Sequence, residues 1–424
     1  MSYYRVNHID RLYGEVKIQG SKNAALPIIA AAIMNKGITI IRNCPDIYDV
    51  VNMIKILEYL GCKYTFMDNV LGIDADNVNV YDIPKEDVSK LRASVVLLGA
   101  LLGRYGRARI SYPGGCKIGD RKIDVHLDIL RELGYEVMAD EQEIVCSGRI
   151  KEDCKVKLRV KSVGATENGI LASVLSNGKT VILSNVAREP EIVNLCEMLN
   201  RMGADIKGAG SSEIVIKGVS ELHTAVLDVY ADRIVAGTYM AAVAAVGGKI
   251  VLKDISGEFD KGIINTLKSF GNRYKCHANE IVVENRKKIN EVEKNIIIST
   301  QVYPGFPTDM QSQIMSVLCC GARNGIIIEN IFENRLGTAY MLNRMGADIK
   351  VINNRIAVIN SVKCLYGAEV EALDLRSGAA LIIAGLMAED YTIIRNGDYI
   401  LRGYQSIQED MKKLSAEVEL CDED

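Results

Sequence analysis

The chain has 424 residues, of which 48% are hydrophobic and 25% are charged, and its formal net charge at pH 7 is -3. A chain of this length and composition can form two or three domains with a sizeable core. The nearly balanced charge excludes a protein-wide field that would attract nucleic acid or an acidic membrane surface, so a bound anion requires a local site.

The N-terminal sequence MSYYRVNHID lacks the apolar core of a signal peptide. The longest apolar stretches, at 26–34, 95–102 and 240–246, are shorter than the roughly 20 residues that cross a membrane. The 11 cysteines include no CxxC motif, and the 4 histidines are far apart. This pattern favours a reducing compartment and gives no zinc signature. We therefore predict a cytoplasmic protein without a membrane span, a nucleic acid partner or a metal.

Three elements recur six times along the chain, with a period of about 70 residues. The first element is an apolar helix with a polar or charged start. These helices are predicted to begin near residues 21, 90, 162, 231, 308 and 374. Each is apolar nearly all round, which predicts that it lies buried in the middle of its unit.

The second element is a short β-branched strand, and the third is an amphipathic helix followed by another strand. The first strands are predicted to open at Gly37, Gly106, Gly178, Gly248, Gly325 and Asp390. The amphipathic helices are predicted to end at a left-handed C-cap at Gly61, Gly134, Gly203, Gly271, Gly346 and Ser415. The sequence LNRMGADIK occurs identically at 199–207 and 342–350, which supports a true repeat.

A unit of about 70 residues is too small to be stable alone, so the six units are expected to assemble. We predict an α/β protein of two pseudo-threefold domains, each built from three units. The first domain is predicted to span 22–231, and the second to combine 1–21 with 232–424. A ligand site is expected in the cleft between two such domains.

Polar and charged residues begin the buried helices, where free N–H groups and the helix dipole favour anions. One interpretation is that these residues cap helices and pair across the domain junction. The other, which we favour for the whole set, is that they converge on an anionic ligand. The loops after the β-branched strands also carry charges, including Arg188 and Arg335, and are expected to face a common space.

The loop at 113–121, PGGCKIGDR, is the sharpest candidate for chemistry. Its three glycines allow unusual backbone angles. Lys117 and Arg121 would favour the thiolate form of Cys116 and make it reactive. From these residues alone, a reactive thiol and a structural cysteine in a surface turn remain equally open.

Motifs spread over the whole chain resemble the UDP-N-acetylglucosamine 1-carboxyvinyltransferases, a family of enolpyruvyl transferases. They are GSKNAALP, LRAS, PGGCKIG-R, SVGATEN, AREPEI, FPTDMQSQ, FENR and DLR. The resemblance implies an inside-out α/β barrel fold. It also implies transfer of enolpyruvyl from phosphoenolpyruvate to the 3-hydroxyl of UDP-N-acetylglucosamine, with release of phosphate, in peptidoglycan synthesis. No cofactor is implied, and we expect a monomer.

The resemblance assigns roles to matching positions. Cys116 resembles the general acid that protonates the methylene carbon, and Asp309 resembles the base near the sugar hydroxyl. Asp374 and Arg376 resemble a pair that steadies the closed cleft. The implied phosphoenolpyruvate residues are Lys22, Asn23, Arg121 and Arg402, with Lys22 and Arg402 also counted as catalytic. The implied nucleotide-sugar residues are Asn23, Arg92, Arg121, Lys122, Ile123, Asp124, His126, Ser162, Val163, Gly164, Asp309 and Ile331.

Several positions depart from residues that are usual in the family, namely Lys122, Val160, Val235 and the tripeptide Leu336, Gly337 and Thr338. Two alternatives follow: a non-catalytic relative that senses a UDP-sugar, or an enolpyruvyl transferase with another acceptor such as shikimate 3-phosphate. The retained Lys22, Cys116, Asp309 and Arg402 oppose the sensor. The PGGC loop and the KNAALP motif oppose the shikimate acceptor.

Overall fold

The computed structural model describes residues 2–112, 123–256, 259–286, 294–321 and 323–422. These residues divide into two compact units. One unit runs from Gly20 to Tyr230, and the other joins the chain up to Gln19 to the chain from Ala231 onward. Among the described residues, no helix is long and apolar enough to cross a membrane.

The N-terminal strands β1 (Ser2–Val6) and β2 (Leu12–Lys17) belong to the second unit. The first unit then follows in chain order. Its elements are α1 (Lys22–Ala32), β3 (Ile38–Arg42), α2 (Tyr48–Tyr59), β4 (Lys63–Met67), β5 (Val70–Asp74), β6 (Asp82–Ile83), α3 (Lys85–Val88), α4 (Leu97–Tyr105), β7 (Arg107–Ser111), α5 (Asp124–Glu132), β8 (Glu136–Ala139), β9 (Glu143–Ser147), β10 (Cys154–Lys157), α6 (Val163–Val174), β11 (Thr180–Ser184), α7 (Pro190–Arg201), β12 (Asp205–Lys207), β13 (Glu213–Lys217) and β14 (Val226–Asp228).

The remainder of the second unit repeats the same order of elements. They are α8 (Arg233–Val246), β15 (Gly248–Lys253), α9 (Lys261–Lys268), β16 (Arg273–Cys276), β17 (Glu280–Asn285), β18 (Asn295–Ser299), α10 (Gln311–Gly321), β19 (Asn324–Ile328), α11 (Thr338–Arg344), β20 (Asp348–Ile352), β21 (Ile356–Asn360), β22 (Glu369–Glu371), α12 (Leu375–Met387), β23 (Thr392–Arg395), α13 (Ile407–Lys413) and β24 (Val418–Asp422).

Each unit carries three four-stranded sheets with one parallel and two antiparallel pairings. The orders are β14-β3-β5-β4, β6-β7-β9-β8 and β10-β11-β13-β12 in the first unit. They are β16-β17-β15-β2, β18-β19-β21-β20 and β22-β23-β1-β24 in the second. Strand β14 pairs with β3, opposing Val226 to Ile40, and β2 pairs with β15, opposing Leu12 to Gly248. These long-range pairings close each unit on itself.

Three helices form the buried centre of each unit: α1, α4 and α6 in the first, and α8, α10 and α12 in the second. All 13 residues of α12 are buried. Small residues allow the close packing, since a Cβ added at Gly99 would lie 2.5 Å from the carbonyl oxygen of Asn168. The predicted fold class is confirmed: helices lie inside and sheets outside in two pseudo-threefold units of about 70-residue repeats.

The six predicted helix ends are also confirmed. All have positive φ angles, from 91° to 105° at the five glycines and 69° at Ser415. The helices predicted to begin near residues 90 and 308 open with 3-10 turns, at Arg92–Val96 before α4 and at Thr308–Met310 before α10. The amide and hydroxyl of Ser94 both donate to the Leu91 carbonyl, which closes the first of these tighter turns.

Candidate functional site

Lys22 occupies the first position of α1. Ser21 caps this helix by accepting a hydrogen bond from the amide of Ala24 at 3.4 Å. The Lys22 Nζ lies 3.1 Å from Oδ2 of Asp49, whose side chain is only 3% exposed. A buried carboxylate in α2 therefore fixes the ammonium group at the start of a buried helix. The next residue, Asn23, is half-buried.

His126 is the centre of a second group in the first unit. The Nδ2 of Asn168 lies 2.8 Å from His126 Nδ1. The Oδ1 of Asn168 accepts from the Gly99 amide, so Nδ2 is the donor and His126 Nδ1 is the acceptor. Burial, with the positive charge of Arg92 as a smaller contribution, lowers the pKa of His126 to about 4. The ring is therefore neutral at pH 7, with its proton on Nε2.

Gly164 is required where the His126 ring meets α6. A Cβ at Gly164 would lie 2.6 Å from His126 Cε1, so a larger residue would displace the ring. Ser162 caps α6 by accepting from the Ala165 amide at 3.3 Å, and Val163 begins the helix. The structure thus brings together the predicted residues at the starts of α5 and α6.

Asp124 begins α5, next to the buried Ile123. Its carboxylate accepts from the Val125 amide at 2.9 Å and pairs with Arg159, a residue that the sequence analysis missed. Arg159 stands three positions before Ser162, so the ion pair connects α5 to the approach to α6. Val160 is exposed.

Three predicted residues, Cys116, Arg121 and Lys122, lie outside the described residues. Many of the described cysteines are buried. Burial raises the pKa of Cys44, Cys62, Cys146 and Cys196 to about 12. Those four thiols are therefore protonated at neutral pH and suit core packing.

Asp309 carries the most developed charge arrangement in the second unit. Its Oδ1 lies 2.7 Å from Nη2 of Arg335, and its Oδ2 lies 2.9 Å from Nη2 of Arg376. The two arginine side chains are 4% and 5% exposed, whereas the Asp309 side chain is 26% exposed. Burial alone would lower the pKa of Arg376, but the charge of Asp309, together with smaller contributions from Tyr404 and Asp232, raises that pKa. Two buried guanidinium groups thus hold one partly exposed carboxylate.

Asp374 and Arg376 act on different partners. The Asp374 Oδ1 accepts from the backbone amides of Arg376 and Ser377, both at 2.8 Å, and so caps α12. The Arg376 side chain instead pairs with Asp309. Asp374 therefore fixes the backbone from which the Arg376 side chain reaches Asp309.

Arg402 ends the 3-10 turn Gly397–Arg402 and is half-buried. The segment after it is held by Gln19, whose Nε2 donates to the Gly403 carbonyl at 3.1 Å and whose Oε1 accepts from the Gln405 amide at 2.8 Å. Ile331 lies in the loop after β19, and its amide donates to Glu329 at 2.8 Å.

The sequence analysis assigned no role to Asp49, and it also missed Glu329. It named Arg335 only as a charged loop residue. One usable signal was the repeat itself, because Asp49 and Arg335 stand 27 and 26 residues after their partners. In the described part of the chain, no group of three or more His, Cys, Asp and Glu side chains is placed to hold a metal ion.

Comparison with known proteins adds to this geometry. A family model described as EPSP synthase (3-phosphoshikimate 1-carboxyvinyltransferase) matches residues 6–411. The chain is 44% identical over 418 residues to UDP-N-acetylglucosamine 1-carboxyvinyltransferase 2 of Caldanaerobacter subterraneus subsp. tengcongensis, covering 99% of both chains. It is 40% identical to the UDP-N-acetylglucosamine 1-carboxyvinyltransferase of Thermotoga maritima, covering 97% of both.

Two solved structures share the fold. The enolpyruvyl transferase NikO from Streptomyces tendae has a TM-score of 0.86 and 22% sequence identity over 99% of both chains. The EPSP synthase from Acinetobacter baumannii has a TM-score of 0.72 and 15% identity over the full length of both. At these identities the likeness defines the architecture alone, and it agrees with the six-repeat fold described above.

Proposed function

Because the chain belongs to the enolpyruvyl transferases, and within them to the UDP-N-acetylglucosamine 1-carboxyvinyltransferase family, we propose that it transfers enolpyruvyl from phosphoenolpyruvate to the 3-hydroxyl of UDP-N-acetylglucosamine. Inorganic phosphate is released. The observation that carries this proposal is the identity of 44% over 99% of the chain to a relative of that name. The reaction belongs to peptidoglycan synthesis.

The nucleotide sugar is favoured over shikimate 3-phosphate as the acceptor. Relatives named for the nucleotide sugar are 40–44% identical to the chain, whereas the solved EPSP synthase is 15% identical and supports only the fold. The sensor alternative is less well supported, because Lys22 and Asp309 are both held in defined ion pairs. Such fixed charges suit a site that must stabilise a reacting group.

The chemistry requires an acid and a base that act together. The sugar hydroxyl adds to C2 of phosphoenolpyruvate while C3 gains a proton. C3 then gives up a proton as phosphate leaves from the tetrahedral adduct, which restores the C=C bond. We assign the proton donor to Cys116 and the acceptor of the hydroxyl proton to Asp309. The ion pairs with Arg335 and Arg376 support this assignment, since they orient both carboxylate oxygens of Asp309.

Phosphoenolpyruvate bears a phosphate and a carboxylate, and cations are the natural partners of both. We assign Lys22, Arg121 and Arg402 to these groups, with Asn23 beside Lys22. For the nucleotide sugar we assign the diphosphate to the start of α6, where free amides favour anions. The assigned nucleotide-sugar residues are Asn23, Arg92, Arg121, Lys122, Ile123, Asp124, His126, Ser162, Val163, Gly164, Asp309 and Ile331.

We further propose that the enzyme acts as a monomer in the cytoplasm. The proposed domains, 22–231 and 1–21 with 232–424, each contribute residues to the set, so one chain supplies all of them. Asp374 is proposed to support closure of the enzyme on its substrates through its cap on α12 and the position of Arg376.

The proposal is tested by incubating the protein with phosphoenolpyruvate and UDP-N-acetylglucosamine and following phosphate release. Release that depends on both substrates is expected, with the enolpyruvyl sugar nucleotide as the product by mass spectrometry. Parallel reactions with shikimate 3-phosphate should release none. Binding of the nucleotide sugar without phosphate release would instead support the sensor, and release with shikimate 3-phosphate would reassign the acceptor.

Cys116 is tested separately. We expect Cys116→Ser to lose turnover at neutral pH, because a serine hydroxyl is a much weaker acid than a thiol. Cys116→Asp should retain activity if only a proton donor is needed. Full turnover by Cys116→Ser would remove the acid role, and inactivity of Cys116→Asp would indicate an essential covalent step.

A further inference from the structure

Glu329 is a fully buried carboxylate at the end of β19 that accepts four hydrogen bonds. Its Oε1 accepts from the Thr300 hydroxyl at 3.0 Å, the Ile331 amide at 2.8 Å and the Phe332 amide at 3.1 Å. Its Oε2 accepts from the Thr308 hydroxyl at 2.9 Å. Its exposed fraction is 0%. A buried charge is tolerated only when donors surround it, so these four contacts form a built network.

The four donors come from three separate segments of the second unit. Thr300 directly follows β18, and Thr308 opens the 3-10 turn Thr308–Met310 that carries Asp309. The two amides belong to the loop that leaves β19. One carboxylate therefore fastens both the backbone of Ile331 and the turn that presents Asp309.

A second set of contacts extends the network to the Asp309 carboxylate. The Thr308 hydroxyl donates to Glu329, so its oxygen is free to accept from Nη1 of Arg335 at 3.2 Å. The same guanidinium group reaches Asp309 Oδ1 through Nη2 at 2.7 Å. In this network the Arg335 guanidinium donates on both sides, to the Thr308 hydroxyl and to Asp309, and Thr308 donates on to Glu329, so that each end is an accepting carboxylate.

We propose that Glu329 is a positioning residue for enolpyruvyl transfer, acting on two arms. Through the Ile331 and Phe332 amides it shapes the loop that contacts the nucleotide sugar. Through Thr308 and Arg335 it sets the orientation of the Asp309 carboxylate. The inference rests on the proposed function, and Glu329 itself touches no reacting atom.

The test compares Glu329→Gln with Thr308→Val and with the control Glu369→Gln. Glu369 makes an exposed ion pair with Arg395 at 2.8 Å, so its replacement makes the same charge change away from the network. Glu329→Gln replaces one acceptor oxygen with a donor and should affect both arms. We expect kcat to fall and KM for UDP-N-acetylglucosamine to rise, each about tenfold, with KM for phosphoenolpyruvate nearly unchanged.

Thr308→Val removes only the hydroxyl that joins Glu329 to Arg335. We expect kcat to fall about tenfold while KM for the nucleotide sugar stays at the wild-type value, because the amide contacts of Glu329 remain. Glu329→Asp keeps the negative charge and should recover part of the loss. Circular dichroism and thermal unfolding establish whether each variant is folded. If Glu329→Gln does not fold, Thr308→Val still tests the arm that runs through Arg335.

Two results would overturn the proposal: kinetics of Glu329→Gln equal to those of Glu369→Gln, or an equal rise in KM for both substrates in Glu329→Gln and Thr308→Val. The second would show a general loosening of the fold. Failure of the proposed function is a different result, since the wild-type protein would then release no phosphate. In that case the role of Glu329 in the nucleotide-sugar loop is tested by calorimetric binding of UDP-N-acetylglucosamine. Weaker binding to Glu329→Gln than to the wild type is expected, and unchanged binding would contradict the proposal.

Discussion

The starts of the buried helices α1 and α10 use the same position in the repeat with opposite charges. In α1 the proposed functional group is a cation, and a buried acid 27 residues later holds it: Lys22 with Asp49. In the turn before α10 the proposed functional group is an acid, and a buried arginine 26 residues later holds it: Asp309 with Arg335. Asp49 stands in the first turn of the following amphipathic helix, α2, and Arg335 stands in the segment that leads into the corresponding helix, α11.

A third helix start carries an ion pair of the same kind, at residues to which the sequence analysis assigned no role. Arg233 begins α8 and pairs with Asp260 at 2.7 Å, again 27 residues later, with the Asp260 side chain 1% exposed. As at α1, the cation stands at the start of the helix and its acidic partner is buried. The repeat therefore supplies a position for an ion pair, and neither the sign nor the burial of the pair distinguishes α1 from α8. Asp309 differs further because a second guanidinium, that of Arg376, also holds it.

The largest effect is expected for Asp309→Asn. Loss of the proposed base should reduce kcat by about a thousandfold, the size typical of general acid–base catalysis. Asp260→Asn, which removes the acid of the ion pair at α8, should lower thermal stability and leave kcat close to the wild-type value. Phosphate release and differential scanning calorimetry on both variants measure this contrast. Equal losses of kcat in the two variants would show that both pairs serve the fold alone.

A smaller effect is expected for Asp49→Asn. Lys22 then loses the charge that fixes its ammonium group, and we expect kcat/KM for phosphoenolpyruvate to fall about tenfold. KM for the nucleotide sugar should change little, because Lys22 is assigned to phosphoenolpyruvate. Steady-state kinetics with each substrate varied in turn provide the measurement. A change confined to the nucleotide sugar would reassign Lys22 to that ligand.

Gly164→Ala tests the contact between the His126 ring and the start of α6. A methyl group 2.6 Å from His126 Cε1 must displace the ring or the helix start. We expect KM for UDP-N-acetylglucosamine to rise several-fold, with kcat at saturation retained. The control is Ala165→Gly, which changes the same helix start without adding atoms beside the His126 ring. Gly134→Ala would be a poor control, because the φ angle at Gly134 is 93°. An unchanged KM would exclude His126 from the nucleotide-sugar site.

The smallest expected effect is on stability alone. It follows from the difference between the surroundings of Asp309 and those of Glu167, a buried acid in α6. Asp309 faces two guanidinium groups, whereas burial, with added contributions from Glu191 and Glu189, raises the pKa of Glu167 to about 8. An acid whose pKa is raised in the folded state stabilises that state while protonated, and this contribution is lost as pH rises towards 8.

Between pH 6.5 and 8, we therefore expect the free energy of unfolding of the wild-type protein to fall by about 1–2 kcal/mol through this group. Glu167→Gln should remove that decline. His126, whose pKa is lowered from 6.5 to about 4, affects stability mainly below pH 6.5, and it does so equally in the variant and the wild type. Urea unfolding at both pH values checks the difference, and parallel pH profiles for variant and wild type would contradict it.

The sequence alone determined the repeat, the buried helices and the helix ends. These features are local: the apolar runs cover a whole helix, and glycine at 61 or 346 is the residue that a left-handed C-cap favours. The residues for substrates followed from motifs within single units. The sequence also indicated the charged starts of the helices, yet left open whether those charges cap helices or bind a ligand.

The tertiary structure decided which charges meet. Asp49, Arg335 and Glu329 meet Lys22, Asp309 and Thr300 across 27, 26 and 29 residues, and these partners come together only when helices and sheets assemble. Pair energies between charges depend on distance and burial, and no local pattern encodes either. That Lys22 pairs with a buried acid and Asp309 with a buried arginine was therefore evident only from the tertiary structure.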